Sequence, residues 1–177
     1  MLEDQLRKLA MQGGQFSVAL LPLNEGNAQG LEMVEFQVAA NQGTPLRSLA
    51  KVASGGELSR ISLAIQVAAS RAATVPTLIF DEVDSGIGGR VAEIVGSLLK
   101  QLGKRHQVMC VTHLPQVAAQ ADAQWQVSKA AHAGKTLSSI RVLEEADRIE
   151  EIARMLGGVK ITETTRKHAA ELLGIPA

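Results

Sequence analysis

Apolar and polar residues alternate in the first quarter of the chain in a way that predicts a pair of β-strands. The runs "QFSVALLPL" and "MVEFQVAA" are rich in strand-forming residues, and the turn-rich stretch "NEGNAQG" separates them. This arrangement predicts an antiparallel pair. Ahead of it, Leu2, Leu6 and Leu9 recur at helical spacing, which predicts a short helix that ends at Gly13-Gly14.

From residue 54 onward, helical patterns alternate with short apolar runs. "ELSRISLAIQVAASRAA" predicts a helix whose apolar face carries Leu58, Ile61, Ile65 and Ala68. "PTLIFDE" and "QVMCVTH" are short continuous apolar runs, which are typical of buried parallel strands. "RVAEIVGSLLKQLGK" predicts a helix between them, and "PQVAAQA" predicts a short helix after them. Alternation of this kind favours parallel βαβ units.

The last third predicts a hairpin and two helices. "QWQVSKAAHAGKTLSSIRVLE" has the pattern of a hairpin with a polar tip. "DRIEEIARMLGG" and "TETTRKHAAELLG" predict helices, with Gly157-Gly158 and Gly174 as stops and Pro176 just beyond. The predicted fold class is therefore α/β: parallel βαβ units, a small antiparallel N-terminal β section and C-terminal helices.

Composition narrows the range of functions. The chain has 177 residues, 46% of them hydrophobic, and 18 Lys+Arg balance 18 Asp+Glu. Zero net charge argues against a domain that grips nucleic acid through bulk positive charge, although a local basic strip or DNA contact within a larger assembly stays open. Three Phe, one Trp and no Tyr argue against a base-stacking platform. The single cysteine, Cys110, and the lack of a signal or membrane-spanning pattern predict a cytoplasmic domain without a membrane partner.

Acidic residues and a histidine follow the two apolar runs. Asp81 and Glu82 end the first run and His113 ends the second, so parallel strands would bring them to one sheet edge, where ligands gather in α/β proteins. Side chains alternate along a strand, so we expect separate roles for the two acids: one holds Mg²⁺ and the other orients or deprotonates a water. The alternative is that both acids cap a strand and face solvent, and that His113 is structural. We expect His106, His132 and His168 to be surface residues.

The glycine pair in "ASGGELSR" allows two interpretations. Ser54 and Glu57 have the spacing of a capping box at a helix start. Free N–H groups beside Gly55 and Gly56 would also suit an anion. A phosphate loop that wraps a nucleotide of its own normally has a lysine just after its glycines, and Glu57 stands there instead.

In this order and spacing, the three motifs resemble the C-terminal half of an ABC-type (P-loop NTPase) head. "ASGGE" resembles the signature, "TLIFDE" the Walker B strand and "VTH" the switch-histidine loop. "KVASGGELSRISLAI", "IFDEVDSGIGGRVAEIVGSLL", "VTHLPQVAAQAD" and "ARMLGG…ITETTRKHAAELL" resemble the RecN family, SMC-like ATPases of bacterial double-strand-break repair. The resemblance covers nearly the whole chain. Ala53 replaces the commoner signature leucine, and Gly88 falls where ABC dimer loops carry aspartate. The RecN pattern carries the glycines of "VDSGIGG", which favour it over a transporter ATPase or a chromosome-condensing SMC.

The resemblance implies roles for the matching residues. Ser54, Gly55, Gly56 and Glu57 form the signature, which contacts the γ-phosphate of ATP bound mainly by a partner head. Asp81 serves Mg²⁺ through water. Glu82 acts on the attacking water and His113 on the γ-phosphate.

The resemblance also implies that the site is composite. The chain contains no G-x-x-x-x-G-K-[ST], so the Walker A half would come from the N-terminal part of the same protein. We expect residues 1–14 to end a coiled-coil arm, residues 15–177 to form the C-terminal half of the head, and a second head to complete the dimer. The chain alone would be inactive, the intact protein an ATPase, and DNA a partner of the full assembly near the nucleoid. A non-catalytic lobe that docks on a partner head, or a head segment of another SMC-like or ABC ATPase, is the alternative.

Overall fold

The computed structural model describes most of the chain in two compact units. The residues it describes are 7, 9, 11, 14–39, 42–51, 55–69, 75–132, 135–157 and 160–175. The first unit covers residues 1–111 and the second covers residues 112–177. Leu2, Leu6 and Gly13 lie outside the described residues, so the predicted N-terminal helix stays a prediction. Leu9 is fully buried in the first unit.

The N-terminal β section of the first unit is an antiparallel sheet, as predicted. Strand β1 (Gln15–Asn27) pairs with β2 (Gly30–Ala39), and β2 pairs with β3 (Arg47–Ser48), a short strand that the sequence did not predict. "NEGNAQG" was predicted as a loop, and this was partly wrong because its first four residues extend β1. An irregularity between Pro22 and Asn27 lets the strand continue. Gly30 has a φ of 126°, a conformation that glycine adopts without a steric penalty, and the chain reverses just before it.

The predicted parallel unit is also present. Strands β4 (Thr77–Phe80) and β5 (Gln107–Cys110) pair in parallel, with Phe80 opposite Cys110. Helix α1 (Gly55–Ala69) precedes β4, and helix α2 (Gly89–Gly103) connects the two strands. Helix α2 packs against both α1 and β5. Its buried residues recur every three or four positions, because this spacing places them on one helical face; they are Ala92, Val95, Gly96, Leu98, Leu99 and Leu102.

Two predictions about burial in this unit were wrong. The strands are not buried on both faces: Ile79 is 71% exposed and its neighbour across the pair, Met109, is 38% exposed. Within the described residues this sheet has only two strands, so a second apolar face has no cover. The apolar face of α1 is also rotated, since Ile61 is fully buried but Leu58 is 43% exposed and Ala68 is exposed.

The second unit contains the predicted hairpin and helices. Its elements in chain order are helix α3 (Pro115–Ala118), strands β6 (Gln124–His132) and β7 (Lys135–Leu143), and helices α4 (Glu145–Gly157) and α5 (Glu163–Leu173). Strands β6 and β7 are antiparallel and in register from Gln124–Leu143 to His132–Lys135. The buried cluster joins α3, α4 and α5 through Ala118, Ala119, Ile152, Ala153 and Ala169. Small side chains let these helices approach closely.

Two helices in the second unit end where the sequence predicts. Gly174 follows α5 in the left-handed region with a φ of 71°, and its N–H donates to the carbonyl of Glu171 at 3.0 Å. Helix α4 ends at Gly157, while Gly158 and Pro176 lie outside the described residues. The start of α5 has a capping box that was not predicted: Thr162 Oγ1 accepts from the N–H of Thr165 at 3.2 Å.

Candidate functional site

The start of helix α1 contains the glycine pair of the signature-like motif. Gly55 is exposed, Gly56 is buried and Glu57 is half-buried. Ser54 and Ala53 lie outside the described residues, so the capping box between Ser54 and Glu57 stays a prediction. The N–H groups of a helix's first turn have no partner within the helix, and they favour a negative group at that end.

The two acids lie just beyond the end of β4, in the acidic loop (residues 81–85). Asp81 and Glu82 are both exposed. Glu82 has a φ of 55°, which is the left-handed region and is unusual for a residue with a side chain. Its carbonyl accepts from the N–H of Ser85 at 3.0 Å, which closes a turn. The expectation that strand alternation separates the two acids was therefore wrong, because β4 ends before them.

The start of α1 and the acidic loop are in close contact. A Cβ placed on Gly55 would lie 3.2 Å from Glu82 Oε2, and one on Gly56 would lie 2.8 Å from the carbonyl oxygen of Ser85. Only a glycine permits the second approach without a shift of the backbone. Two of the predicted groups, the signature glycines and the Walker B-like acid, are thus adjacent in this chain.

Two polar side chains of α1 hold the two ends of this loop. Ser59 Oγ donates to the carbonyl of Asp81 at 3.0 Å. Arg60 Nη1 donates to the carbonyl of Ser85 at 2.6 Å. Neither residue was identified from the sequence. A weak signal existed, because Arg60 stands four residues after Gly56 and therefore shares its helical face.

The environment of the loop disfavours negative charge on the nearby thiol. Burial, together with the charges of Asp84 and Asp81, raises the pKa of Cys110 to about 12. Asp84 itself is only 1% exposed. Burial also lowers the pKa of Arg60, and the carboxylate of Glu57 opposes this effect.

His113 lies in the second unit, in the turn that precedes α3. It is exposed. Its neighbour Thr112 shapes the turn, since Thr112 Oγ1 accepts from the N–H of Leu114 at 3.1 Å. The strands that lead toward the acids and toward His113 end side by side, because the N–H of Val111 donates to the carbonyl of Phe80 at 2.9 Å.

The prediction that the other histidines are surface residues was wrong for His106. Its side chain is buried, and Nδ1 lies 2.8 Å from the carbonyl of Val75. It therefore ties the start of β5 to the segment before β4. His168 is exposed and lies 3.5 Å from Glu171, which agrees with the prediction. The side chain of His132 is outside the described set.

The described residues include exposed carboxylates that could contact a metal ion, Asp81 among them. Among the described residues, no group of three or more His, Cys, Asp or Glu side chains is placed to hold a metal. Mg²⁺ in nucleotide sites typically takes one or two carboxylates and completes its shell with phosphate and water. The exposed carboxylate of Asp81 fits such a role.

The fold of the chain is that of an SMC head. A Smc head domain with a coiled coil and joint from Pyrococcus yayanosii matches with a TM-score of 0.61 and 22% identity, over 85% of this chain and 27% of that one. A structure from a study of ATP-driven dimerisation and DNA-stimulated activation of SMC ATPases matches with a TM-score of 0.53 and 20% identity, over 89% of both chains. At these identities the matches establish the fold.

Sequence relatives carry a more specific name. DNA repair protein RecN of Xylella fastidiosa (strain 9a5c) is 53% identical over 95% of this chain, and RecN of Haemophilus influenzae is 48% identical over 97%. RecN of Bacillus subtilis is 46% identical over 82%. The resemblance to RecN is therefore confirmed, and the sequence relatives and the fold agree on a head segment of RecN type.

The chain spans only 30% of the length of the Xylella RecN and 31% of that from Haemophilus. No protein-family model matches it. In the part of the chain that the structure describes, no helix is long and apolar enough to cross a membrane.

Proposed function

We propose that the chain is the C-terminal part of a RecN-type ATPase head, which closes with a second head around ATP and opens on hydrolysis during recombinational double-strand-break repair. Ser54, Gly55, Gly56 and Glu57 face the γ-phosphate of ATP bound by the other head. Asp81 serves Mg²⁺ through water, Glu82 acts on the attacking water, and His113 acts on the γ-phosphate. The Walker A half comes from the N-terminal part of the same protein.

One observation carries this proposal: the signature-like glycines and the acidic loop form one contact surface. Gly55 lies beside the Glu82 carboxylate and Gly56 beside the Ser85 carbonyl. Glu82 is exposed and has a strained backbone, features that cluster at functional sites. Exposure alone would also suit acids that cap β4, so the strained backbone of Glu82 is the feature that favours a functional loop.

In the proposed reaction, the oxygen of a water molecule bonds to the γ-phosphorus of ATP. The bond from that phosphorus to the bridging oxygen breaks, so ADP and phosphate leave. The Glu82 carboxylate accepts a proton from the water, and this proton later passes to solvent. Asp81 would hold Mg²⁺ through a water molecule, and the ion would supply positive charge against the phosphates. The contribution of the chain is positioning and electrostatics.

The position of Glu82 adds a condition to this proposal. Its carboxylate lies beside the N-terminal end of α1, where the helix favours a negative group. A phosphate bound at Gly55 would be repelled by the same carboxylate. Phosphate binding at the start of α1 is therefore coupled to movement of the Glu82 side chain.

The uncovered face of the β4–β5 sheet supports docking of an N-terminal half. Ile79 is 71% exposed, Met109 is 38% exposed and Val111 is 63% exposed. Burying such side chains on a partner stabilises a complex by roughly 25 cal/mol per Å² of apolar surface. RecN relatives are about three times as long as this chain, so ample sequence exists to supply such a half.

In this proposal DNA is bound by the whole assembly rather than by this chain alone. With 18 basic and 18 acidic residues, the chain lacks the bulk positive charge that non-specific DNA binding uses. The intact protein would work in the cytoplasm, in association with the nucleoid.

The main test is Glu82→Gln in the intact protein that contains this chain. We expect ATP binding to remain within about twofold and turnover to fall at least about a hundredfold, because the variant keeps the shape of the side chain but cannot accept the proton. Glu93→Gln, on the exposed side of α2, is the matched control and should leave both quantities unchanged. Normal turnover in Glu82→Gln would exclude Glu82 as the water-orienting residue.

A non-catalytic docking lobe is the second candidate, and the exposed Ile79–Met109 face favours it equally. Mixing this chain with the separately produced N-terminal segment distinguishes the two functions. Restored Mg²⁺-dependent ATP hydrolysis supports the half-site proposal, whereas complex formation without hydrolysis supports a docking lobe. Tight ATP binding by this chain alone would contradict the half-site proposal.

A further inference from the structure

Arg60 is a buried cation with an unusual set of contacts. The residue lies on helix α1 of the first unit and is only 9% exposed. Nη1 donates to the Ser85 carbonyl at 2.6 Å, while Nε is buried and has no hydrogen-bond partner within the described part of the chain. Burying a charged group that is incompletely paired is costly. The burial of Arg60 therefore needs an explanation other than the packing of its side chain.

The reason lies in what Arg60 holds. Its neighbour Ser59 donates to the carbonyl of Asp81, the first residue of the acidic loop, and Arg60 donates to Ser85, the last. Two consecutive residues of α1 thus hydrogen-bond to both ends of the five-residue acidic loop, and Glu82 lies between these ends. We call this pair of hydrogen bonds the grip. Gly56 allows the grip to be close, since a Cβ there would lie 3.2 Å from Arg60 Nη1.

Both hydrogen bonds go to backbone carbonyls, so neither of them engages the carboxylate of Asp81 or Glu82. The Arg60 guanidinium therefore fixes the path of the chain through Glu82 rather than neutralising a carboxylate of the loop. The left-handed φ of Glu82, 55°, needs such support, because an L-residue pays roughly 1–2 kcal/mol to adopt it.

We propose that Arg60 is a positioning residue for hydrolysis: through the Ser85 carbonyl it holds the acidic loop against α1, so that Glu82 reaches the attacking water. This inference rests on the function proposed above. Helix α1 also starts with Gly55 and Gly56. Arg60 therefore links these glycines, which face the ATP of the other head, to Glu82, which acts on a different ATP.

A positioning role predicts a particular pattern of kinetic change. Loss of the grip lets Glu82 sample non-productive positions, so kcat falls while ATP affinity is kept. The proposed function does not place Ser59 or Arg60 against the nucleotide, so we expect KM to stay near its normal value unless binding at Gly55 is itself disturbed. A purely stabilising role for Arg60 would lower the fraction of folded protein and leave kcat per folded head unchanged.

The experiment compares variants of the intact protein that contains this chain. Arg60→Met removes the donor and the charge at similar volume, Arg60→Lys keeps the charge and one donor, and Arg105→Met is a matched control at an exposed arginine. Turnover is normalised to the number of heads that bind ATP. We expect kcat to fall at least about tenfold in Arg60→Met and to be intermediate in Arg60→Lys, with ATP affinity within about twofold and the control unchanged.

A double-mutant cycle separates positioning from structure. If Arg60 acts through Glu82, then Arg60→Met adds little to the loss already caused by Glu82→Gln, so the two effects are strongly non-additive. Additive losses would overturn the inference, and so would a wild-type kcat in Arg60→Met.

Ser59→Ala covers the case in which Arg60→Met does not fold, because it releases the other end of the loop without exposing a buried charge. It should lower kcat severalfold, and wild-type kcat in both Ser59→Ala and Arg60→Lys would overturn the inference. The proposed function fails separately, if the wild-type protein does not hydrolyse Mg²⁺-ATP or if Glu82→Gln still does.

Discussion

The close approach at Gly56 leads to a prediction that can be worked out from distances. In Gly56→Ala, the new methyl group would lie 2.8 Å from the Ser85 carbonyl oxygen and 3.0 Å from Ser85 Cβ. Side-chain Cβ atoms essentially never come so close to a backbone oxygen, so the acidic loop or the start of α1 must move. Overpacking of this kind costs about 1–3 kcal/mol.

A second glycine provides the matched reference. Gly103, the last residue of α2, has open space around its would-be Cβ. Replacing a helical glycine by alanine stabilises by up to about 1 kcal/mol through backbone entropy, and this gain applies to both sites. We therefore expect Gly103→Ala to be stabilising and Gly56→Ala to be less stable than Gly103→Ala by about 1–3 kcal/mol, which is the cost of the clash alone.

Urea unfolding followed by far-ultraviolet circular dichroism measures this difference. The wild-type chain and the two variants are compared at constant slope against urea, so that a shift in midpoint reports stability. If Gly56→Ala proves as stable as Gly103→Ala, the contact between α1 and the acidic loop is not as close as described, and the positioning argument loses its geometric basis.

Three further predictions concern other parts of the chain. Hydrogen bonds from Arg154 lower the pKa of Glu151 below its ordinary value of 4.5, so this carboxylate stabilises the fold above about pH 4.5, and the stabilisation is lost as pH falls through the lowered pKa. The difference in unfolding free energy between wild type and Glu151→Gln, measured by Trp125 fluorescence, should therefore shrink as pH falls below about 4.5. A difference that stays constant would contradict the pairing. Thr162→Ala removes the cap of α5 and should cost about 1 kcal/mol of unfolding free energy in urea titrations, whereas an unchanged midpoint would exclude the cap. The thiol of Cys110, with its pKa raised to about 12, should react with iodoacetamide at pH 8 far more slowly than a cysteine in the urea-unfolded chain, and equal rates would refute the burial argument.

Local patterns were reliable where a single element decides the outcome. The hairpin of β6 and β7, helices α4 and α5 and the glycine after α5 all lie where the sequence predicts them, because each depends on neighbours within a few residues. The parallel pairing of β4 and β5 was also predictable, since a helix between two short apolar runs is the usual connection of parallel strands.

Burial was less predictable, because it depends on which surfaces meet. The predicted face of α1 contained Leu58, yet this residue is exposed, and Arg60 is buried instead. The spacing of apolar residues along a helix does not predict that an arginine such as Arg60 is buried. Its burial follows from the turn of the acidic loop, which brings the Ser85 carbonyl to the helix from 25 residues further along the chain.

The sequence by itself determined the order of the three motifs and the resemblance to RecN. Motif order, spacing and residue identity are properties of the chain that do not depend on how it packs. The sequence also determined the residue types available for phosphate and water chemistry. Only the tertiary structure decided that Gly55 lies beside Glu82, that β4 ends before the two acids, and that Ser59 and Arg60 hold the loop between them. These features depend on contacts between segments that are far apart in the chain, and the energy of such contacts is not encoded in any single stretch of sequence.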